Sequence, residues 1–412
     1  MNQTIFYIII GILLFDYLLE QFLDYLNATR RSSELPEELK GIYDKEKYKK
    51  SIEYDRVNHK FSFIISSFNL VLILLFLFFS GFAIIDDIAR SYSSNSIVVA
   101  LIFFGILMFA SDIIHIPFSL YDTFVIEEKF GFNKTTVKTF IFDKIKGWII
   151  AAILGGGLIA LIVWFYNTVG QYFWIYAWIA IGIFMILITM FYTSIIVPLF
   201  NKLKPLEQGE LKDEITTFCN QVQFKLENVF VIDGSKRSSK ANAYFSGLGK
   251  KKKIVLFDTL IEKLSNKEIV AVLAHEIGHY KKKHTLISIF SSIIQTGLTL
   301  YILSLFVGNP LLSKALGSDI PGFHLGLITF GFLYSPISMI IGLFINIFSR
   351  RNEYAADQFA AENYNGEYLQ SALKNLSVNN LSNLTPHPLY VFFNYSHPTL
   401  LQRVRFIEKL NN

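Results

Sequence analysis

The 412-residue sequence predicts an all-α, multi-pass membrane protein with a small β-hairpin in one of its polar segments. Three observations carry this. The chain is 52% hydrophobic and 17% charged, where soluble domains carry about 25% charge. Its apolar residues gather into blocks near the length needed to cross a bilayer core. And 36 of its 38 Lys and Arg fall in four polar segments between or after those blocks.

The apolar stretches number seven: Ile5 to Leu26, Phe61 to Ile85, Ile97 to Phe118, Trp148 to Tyr166, Phe173 to Pro198, Leu286 to Val307 and Phe323 to Phe348. They divide the chain into residues 1–198, five helices with their loops; 199–285, a long polar segment; 286–348, helices six and seven; and 349–412, a polar C-terminal segment. The basic segments are 27–60, 119–147, 199–285 and 349–412, and the other connections hold only Arg90 and Lys314. Positive loops stay cytoplasmic, so the N-terminus is expected outside and the C-terminus and every long polar segment inside. Met1 to Thr4 has no basic region and the first stretch no small-residue cleavage site, so it reads as a retained helix.

The net charge of +5 needs no nucleic-acid partner. The Lys250 to Lys253 run reads as a solvated turn or a contact with anionic headgroups of the lipid bilayer. A single cysteine, Cys219, excludes a disulfide framework and Cys-rich metal sites, leaving His and carboxylates as metal ligands. Asp16, Glu20 and Asp24 in the first stretch, with Asp112 and His115 in the third, must face protein or water because charge in hydrocarbon is costly. They either reach a nearby interface or line a water-filled cavity in the bundle.

From Ser265 the chain runs through a Ser-x-x-Glu capping box into an apolar helical repeat containing His275-Glu276-Ile277-Gly278-His279. Residues four apart share a helix face, so both imidazoles can hold one Zn²⁺ while Glu276 reaches a water beside it. Two His and a Glu could be surface residues at a coincidental spacing, but only 8 His occur in the chain and this motif sits on a capped helix after a predicted hairpin. That hairpin is Asn242 to Phe245 with Lys253 to Phe257, turning at Gly247 and Gly249. A strand beside the metal helix can hold an extended peptide by backbone pairing. A third ligand is expected on a later helix near the same membrane face. Glu353 and Asp357 follow the seventh stretch four residues apart, so Glu353 can bind zinc while Asp357 accepts from a ligand imidazole. An ionised carboxylate cannot donate to an oxyanion, so a cationic or N–H donor must come from elsewhere; His397 and Arg403 in the C-terminal segment are candidates, with His387 competing.

These blocks together resemble the type I CaaX prenyl endopeptidases, an integral-membrane zinc metalloprotease family. The resemblance is carried by Pro117 to Lys134, by Pro198-Leu199-Phe200-Asn201-Lys202 with Pro205-Leu206, by Asn242-Ala243-Tyr244-Phe245, by Ile254 to Leu260, by the metal helix, by Glu353 to Asp357, and by Tyr395 to Leu400 with Arg403. Phe130 and Asn394 depart from the family pattern. The resemblance implies a seven-helix barrel around a large chamber, capped on the cytoplasmic side by the metal site. It implies one Zn²⁺ per chain held by His275, His279 and Glu353, Glu276 as the base, and His397 and Arg403 on the tetrahedral intermediate. Asn242, Ala243, Tyr244 and Phe245 would pair with a peptide or protein substrate whose C-terminal cysteine carries an isoprenoid.

The alternatives are a membrane quality-control zinc protease without a prenyl requirement, which the Phe124 to Lys134 block disfavours, and a seven-helix transporter or receptor with an incidental motif. The ending Lys409-Leu410-Asn411-Asn412 offers no ER-retrieval signal, and the Lys, Ile and Asn richness suggests an AT-rich genome. Both favour a bacterial cytoplasmic membrane, with the ER membrane the place if the source is eukaryotic.

Overall fold

The computed structural model describes residues 3–31, 39, 41, 44–225, 229–247 and 253–411; Lys250 to Lys252 and Gly249 of the expected turn lie outside them. Among the described residues, six helical runs are long and apolar enough to cross a membrane. The first three are α1 (Gln3–Thr29), α2 (Lys45–Phe78) and α4 (Ser96–Phe130), with the short α3 (Gly81–Tyr92) between the last two. The fourth run, Val137–Phe200, has 64 residues, far more than the roughly 20 that one crossing needs. It contains α5 (Val137–Ile150), α6 (Gly156–Val169) and α7 (Phe173–Phe191). A tight turn at Gly170–Tyr172 separates the last two, and Gly170 sits there at φ +58. Helices α6 and α7 fold back on each other across it, Tyr166 against Phe173 and Phe165 against Tyr176.

The expected hairpin is part of a larger sheet. Strands β1 (Leu203–Pro205), β2 (Val229–Ile232), β3 (Ala243–Ser246) and β4 (Lys253–Phe257) form one sheet in the order β1-β2-β4-β3. β3 and β4 are antiparallel as the sequence predicts, but β4 also pairs with β2 in parallel. The parallel partner could not be read from spacing because β2 is only four residues long and β3 intervenes between it and β4. β3 is at the sheet edge, where backbone groups are open to an added strand.

Helix α8 (Glu210–Gln221) covers this sheet with α9 (Asp258–Lys263) and α10 (Asn266–Lys281). The core here is built from Ile215, Phe218, Ile254, Leu256, Leu260, Ile269, Leu273 and Ile277. The chain then returns through α11 (His284–Phe306), the short α12 (Pro310–Ala315) and α13 (Phe323–Ala360). It ends in α14 (Gly366–Asn379), α15 (Pro388–Asn394) and α16 (Leu400–Asn411). α13 does not stop where its apolar stretch ends at Phe348 but continues unbroken through Glu353 and Asp357. Those carboxylates are therefore fixed rigidly to a membrane-length helix.

Polar side chains join the bundle where apolar contact alone would leave their groups unsatisfied. Tyr17 bonds Ser67 at 2.8 Å, Ser335 donates to Asp16 at 2.6 Å, and His115 meets Asn69 at 2.7 Å. A cavity of about 830 Å³ opens among α1, α2 and α4, lined by Asp16, Glu20, Asn58, Asn69, His115 and Asp122. Asp16, Glu20 and His115 therefore face a cavity within the bundle. Asp24 lies outside this cavity, 3.9 Å from His59, while Asp112 borders a second cavity of about 490 Å³, pairs with Lys144 at 2.6 Å and accepts from Trp148 at 2.8 Å.

Candidate metal centre

Helix α10 starts at the capping box read from the sequence: the Ser265 hydroxyl accepts from the Glu268 N–H, and Glu268 reaches back to the Ser265 N–H. Glu268 also accepts from Ser371 at 2.6 Å and Asn375 at 2.7 Å, stitching α10 to α14. Burial opposes its ionisation, yet these donors hold its carboxyl below the usual range. On its other side α10 packs against α13 through Gly278. A Cβ there would meet the Ala356 Cα and carbonyl oxygen at 3.1 Å, so any side chain would press the two helices slightly apart, and glycine suits this close approach. That approach brings the imidazoles to Glu353.

Three side chains converge as a result. The His275 and His279 Nε2 atoms are 3.1 Å apart, and Glu353 places its carboxylate oxygens 3.4 and 3.3 Å from them. All three ligand atoms fall within 4.8 Å of one another. The Glu353 Oε2 atom is buried and has no hydrogen-bond partner, a state that costs on the order of 1–3 kcal/mol unless something electrophilic is supplied. Two nitrogens and a carboxylate oxygen aimed at one point are a donor set suited to a divalent metal.

Behind the ligands stands a charge relay of positions. His275 Nδ1 is 2.8 Å from Asp357 Oδ1, and Arg403 grips the same carboxylate through Nε at 2.8 Å and a second nitrogen at 2.5 Å. Burial disfavours charge on Arg403, but Asp357 and Glu353 outweigh it and raise its pKa. Burial and Arg403 likewise push His275 down, yet Asp357 and Glu353 lift it to about 9. The pocket thus stabilises positive charge at the ligand position. The third Arg403 nitrogen reaches to 3.8 Å from Glu353 Oε2.

A cavity of about 250 Å³ opens over the centre, with Glu276, His397, Asn242 and Ala243 at its polar side and Val272, Leu369, Leu373 and Leu376 as an apolar wall. His397 is mostly exposed and holds Nε2 3.3 Å from Glu353 Oε1, its Nδ1 bonded to Ser396 at 2.9 Å. Asn242 and Ala243 enter the cavity at the start of the β3 edge, while Tyr244 and Phe245 continue along that strand and pack on Phe257 and Tyr280. His387 is elsewhere: it caps α15, accepting from the Leu389 N–H, and takes no part in this cluster. Two contributors carry no motif signal. Arg350 donates to the Tyr395 carbonyl at 2.5 Å, tying the His397 segment to α13. His284, five residues beyond His279, meets the His279 Nδ1 atom at 3.0 Å.

A helical membrane bundle that fixes two His and a Glu around one point, with a free carboxylate beside them and a strand edge alongside, defines a membrane-embedded metallopeptidase. The comparisons with known proteins give the same class. Residues 24–202 match the family described as CAAX prenyl protease N-terminal, five membrane helices, and residues 205–411 match Peptidase family M48. The chain belongs to peptidase family M48 and is a metalloendopeptidase. It is 36% identical to the CAAX prenyl protease 1 homolog of Arabidopsis thaliana, covering 97% of this chain and 96% of that one. It is 35% identical to CAAX prenyl protease 1 of Saccharomyces cerevisiae, covering 97% and 94%. The crystal structure of S. mikatae Ste24p superposes with a TM-score of 0.93 at 33% identity, covering 98% of this chain and 99% of that one.

Proposed function

We propose that the protein is a zinc endopeptidase that cleaves near the C-terminus of prenylated CaaX proteins at the cytoplasmic face of a membrane. The observation that carries this is the convergence of His275, His279 and Glu353 on a point beside the open edge of β3, with the buried Glu353 Oε2 accepting no hydrogen bond. His275, His279 and Glu353 would hold a zinc ion, which when bound would supply Lewis acidity to activate a water and polarise a carbonyl. The relatives' name supplies the CaaX substrate, and the apolar wall of Val272, Leu369, Leu373 and Leu376 suits the aliphatic side chains of such a sequence.

In this reading the substrate backbone pairs with β3 from Asn242 to Phe245, which sets its scissile carbonyl in the cavity. Glu276, in the same cavity, takes a proton from the attacking water and passes it to the leaving amine. His397 donates Nε2–H to the developing oxyanion. Arg403 has two of its nitrogens committed to Asp357, and the third, 3.8 Å from Glu353 Oε2, is the one that would turn to that oxyanion. Counting the α6–α7 turn as a reversal between two crossings gives seven spans. With the basic residues inside, the N-terminus is outside and the active site faces the cytoplasm.

The test uses the full chain purified in detergent with matched farnesylated and unmodified CaaX peptides, the cleavage positions read by mass spectrometry. Release of the last three residues from the farnesylated peptide alone supports the reading. Equal cleavage of both, at scattered positions, supports a quality-control protease instead. Glu276→Gln should retain about one zinc per chain and lose nearly all hydrolysis, because the base does not hold the metal. A metal-free Glu276→Gln protein would overturn that assignment.

A further inference from the structure

The two ligand imidazoles are held from behind in different ways, and only one of the two arrangements contains a charge. His275 Nδ1 faces the Asp357 carboxylate at 2.8 Å. His279 Nδ1 faces another imidazole nitrogen, Nδ1 of His284, at 3.0 Å. The backbone creates this second contact. α10 ends at Lys281, Lys283 takes the left-handed conformation at φ 60, and the chain reverses so that the first residue of α11 is His284. The reversal folds the His284 ring back under His279, the ring centroids 5.1 Å apart and the planes 71° to each other. His284 is 8% exposed.

A hydrogen bond between two Nδ1 atoms has room for one proton. His279 directs Nε2 at Glu353 and His275, so a ligand role requires the lone pair on Nε2 and places its own proton on Nδ1. His284 must then accept with a lone pair on Nδ1. We infer that His284 is a positioning residue, a neutral acceptor that fixes the tautomer and ring plane of His279 as Asp357 does for His275. This rests on the metal reading of His275, His279 and Glu353. Outer partners of this kind change metal affinity by about 10- to 100-fold when removed.

The experiment measures Co²⁺ affinity of the full chain in detergent by competition with a chelator, together with the visible Co²⁺ absorption spectrum. The variants are His284→Phe, which fills the space without an acceptor, and His284→Asn, whose amide oxygen can take the place of Nδ1. The expected result is a loss of about 10- to 100-fold in affinity with an altered spectrum for His284→Phe, and His284→Asn within about threefold of wild type. If His284→Phe binds Co²⁺ with unchanged affinity and spectrum, or if His284→Asn is as weak as His284→Phe, the positioning role is wrong. Should His284→Phe not accumulate as folded protein, His284→Ala against His284→Asn makes the same comparison with the same two readings. A wild-type chain that binds no Co²⁺ would instead sink the metal reading itself, so the two failures are distinct.

Discussion

His397 shows what a single residue at this centre is placed to do. Its Nε2 stands 3.3 Å from Glu353 Oε1, but the side chain is 63% exposed, whereas His275 and Glu353 are buried and His279 is only partly exposed. A group so open is not needed to build the metal site and is free to face substrate. We therefore expect His397→Ala to retain zinc and lower kcat by roughly 10²- to 10³-fold, the usual effect of losing one oxyanion donor, with KM little changed. His387→Ala should cost activity little, because that imidazole caps α15, a role worth about 1 kcal/mol of stability. Metal analysis and steady-state kinetics on the two variants check both; an unaltered kcat in His397→Ala, or loss of its zinc, would refute the donor role.

At the scale of elements, the loop closing α4 is a clamp on the segment that leads into β3. The Ser239 N–H donates to the Phe132 carbonyl and the Lys134 N–H to the Arg237 carbonyl, both at 3.0 Å. Lys240 pairs with Glu127 at 2.8 Å, bonds the Tyr54 hydroxyl at 2.9 Å, and lies over the Phe132 ring at 4.5 Å. Burial disfavours the Lys240 charge, yet Glu127 and Tyr54 raise its pKa, so the contact persists across neutral pH. Two residues later Asn242 enters the metal cavity. Lys240→Met should leave zinc content intact and raise KM for peptide about fivefold, the equivalent of roughly 1 kcal/mol for a partly exposed pair. Unchanged KM would show that the clamp does not set the strand. These contacts explain what the sequence hid. The capping box, the His spacing and the Glu353 to Asp357 interval are local, and periodicity exposes them. The pairing of β4 with β2, the Lys240 clamp and the Gly278 approach join segments far apart in the chain, and no spacing rule encodes them.

For the whole molecule, hydropathy locates the apolar stretches and already divides Trp148 to Tyr166 from Phe173 to Pro198; the Gly170 turn and the ring contacts across it show how the chain folds back between them within the continuous run Val137–Phe200. Orientation is set by charge rather than by packing, and it decides whether the metal cavity meets cytoplasmic substrates. The single cysteine makes this testable in an almost native background. Cys219 is buried and its thiol is pushed up to about 11 by that burial, so it is a silent background for a membrane-impermeant thiol reagent at neutral pH. Ser94 and Asp319 are exposed in connections that lie on the far side in the proposed topology, and Glu262 is exposed beside α10. Asp319 serves better than the neighbouring Ser318, which is buried and bonded to Asp86. In intact cells, Ser94→Cys and Asp319→Cys should label from outside and Glu262→Cys should label only after permeabilisation. The reverse pattern would place the metal cavity on the outer face and exclude proteins prenylated in the cytoplasm as its substrates.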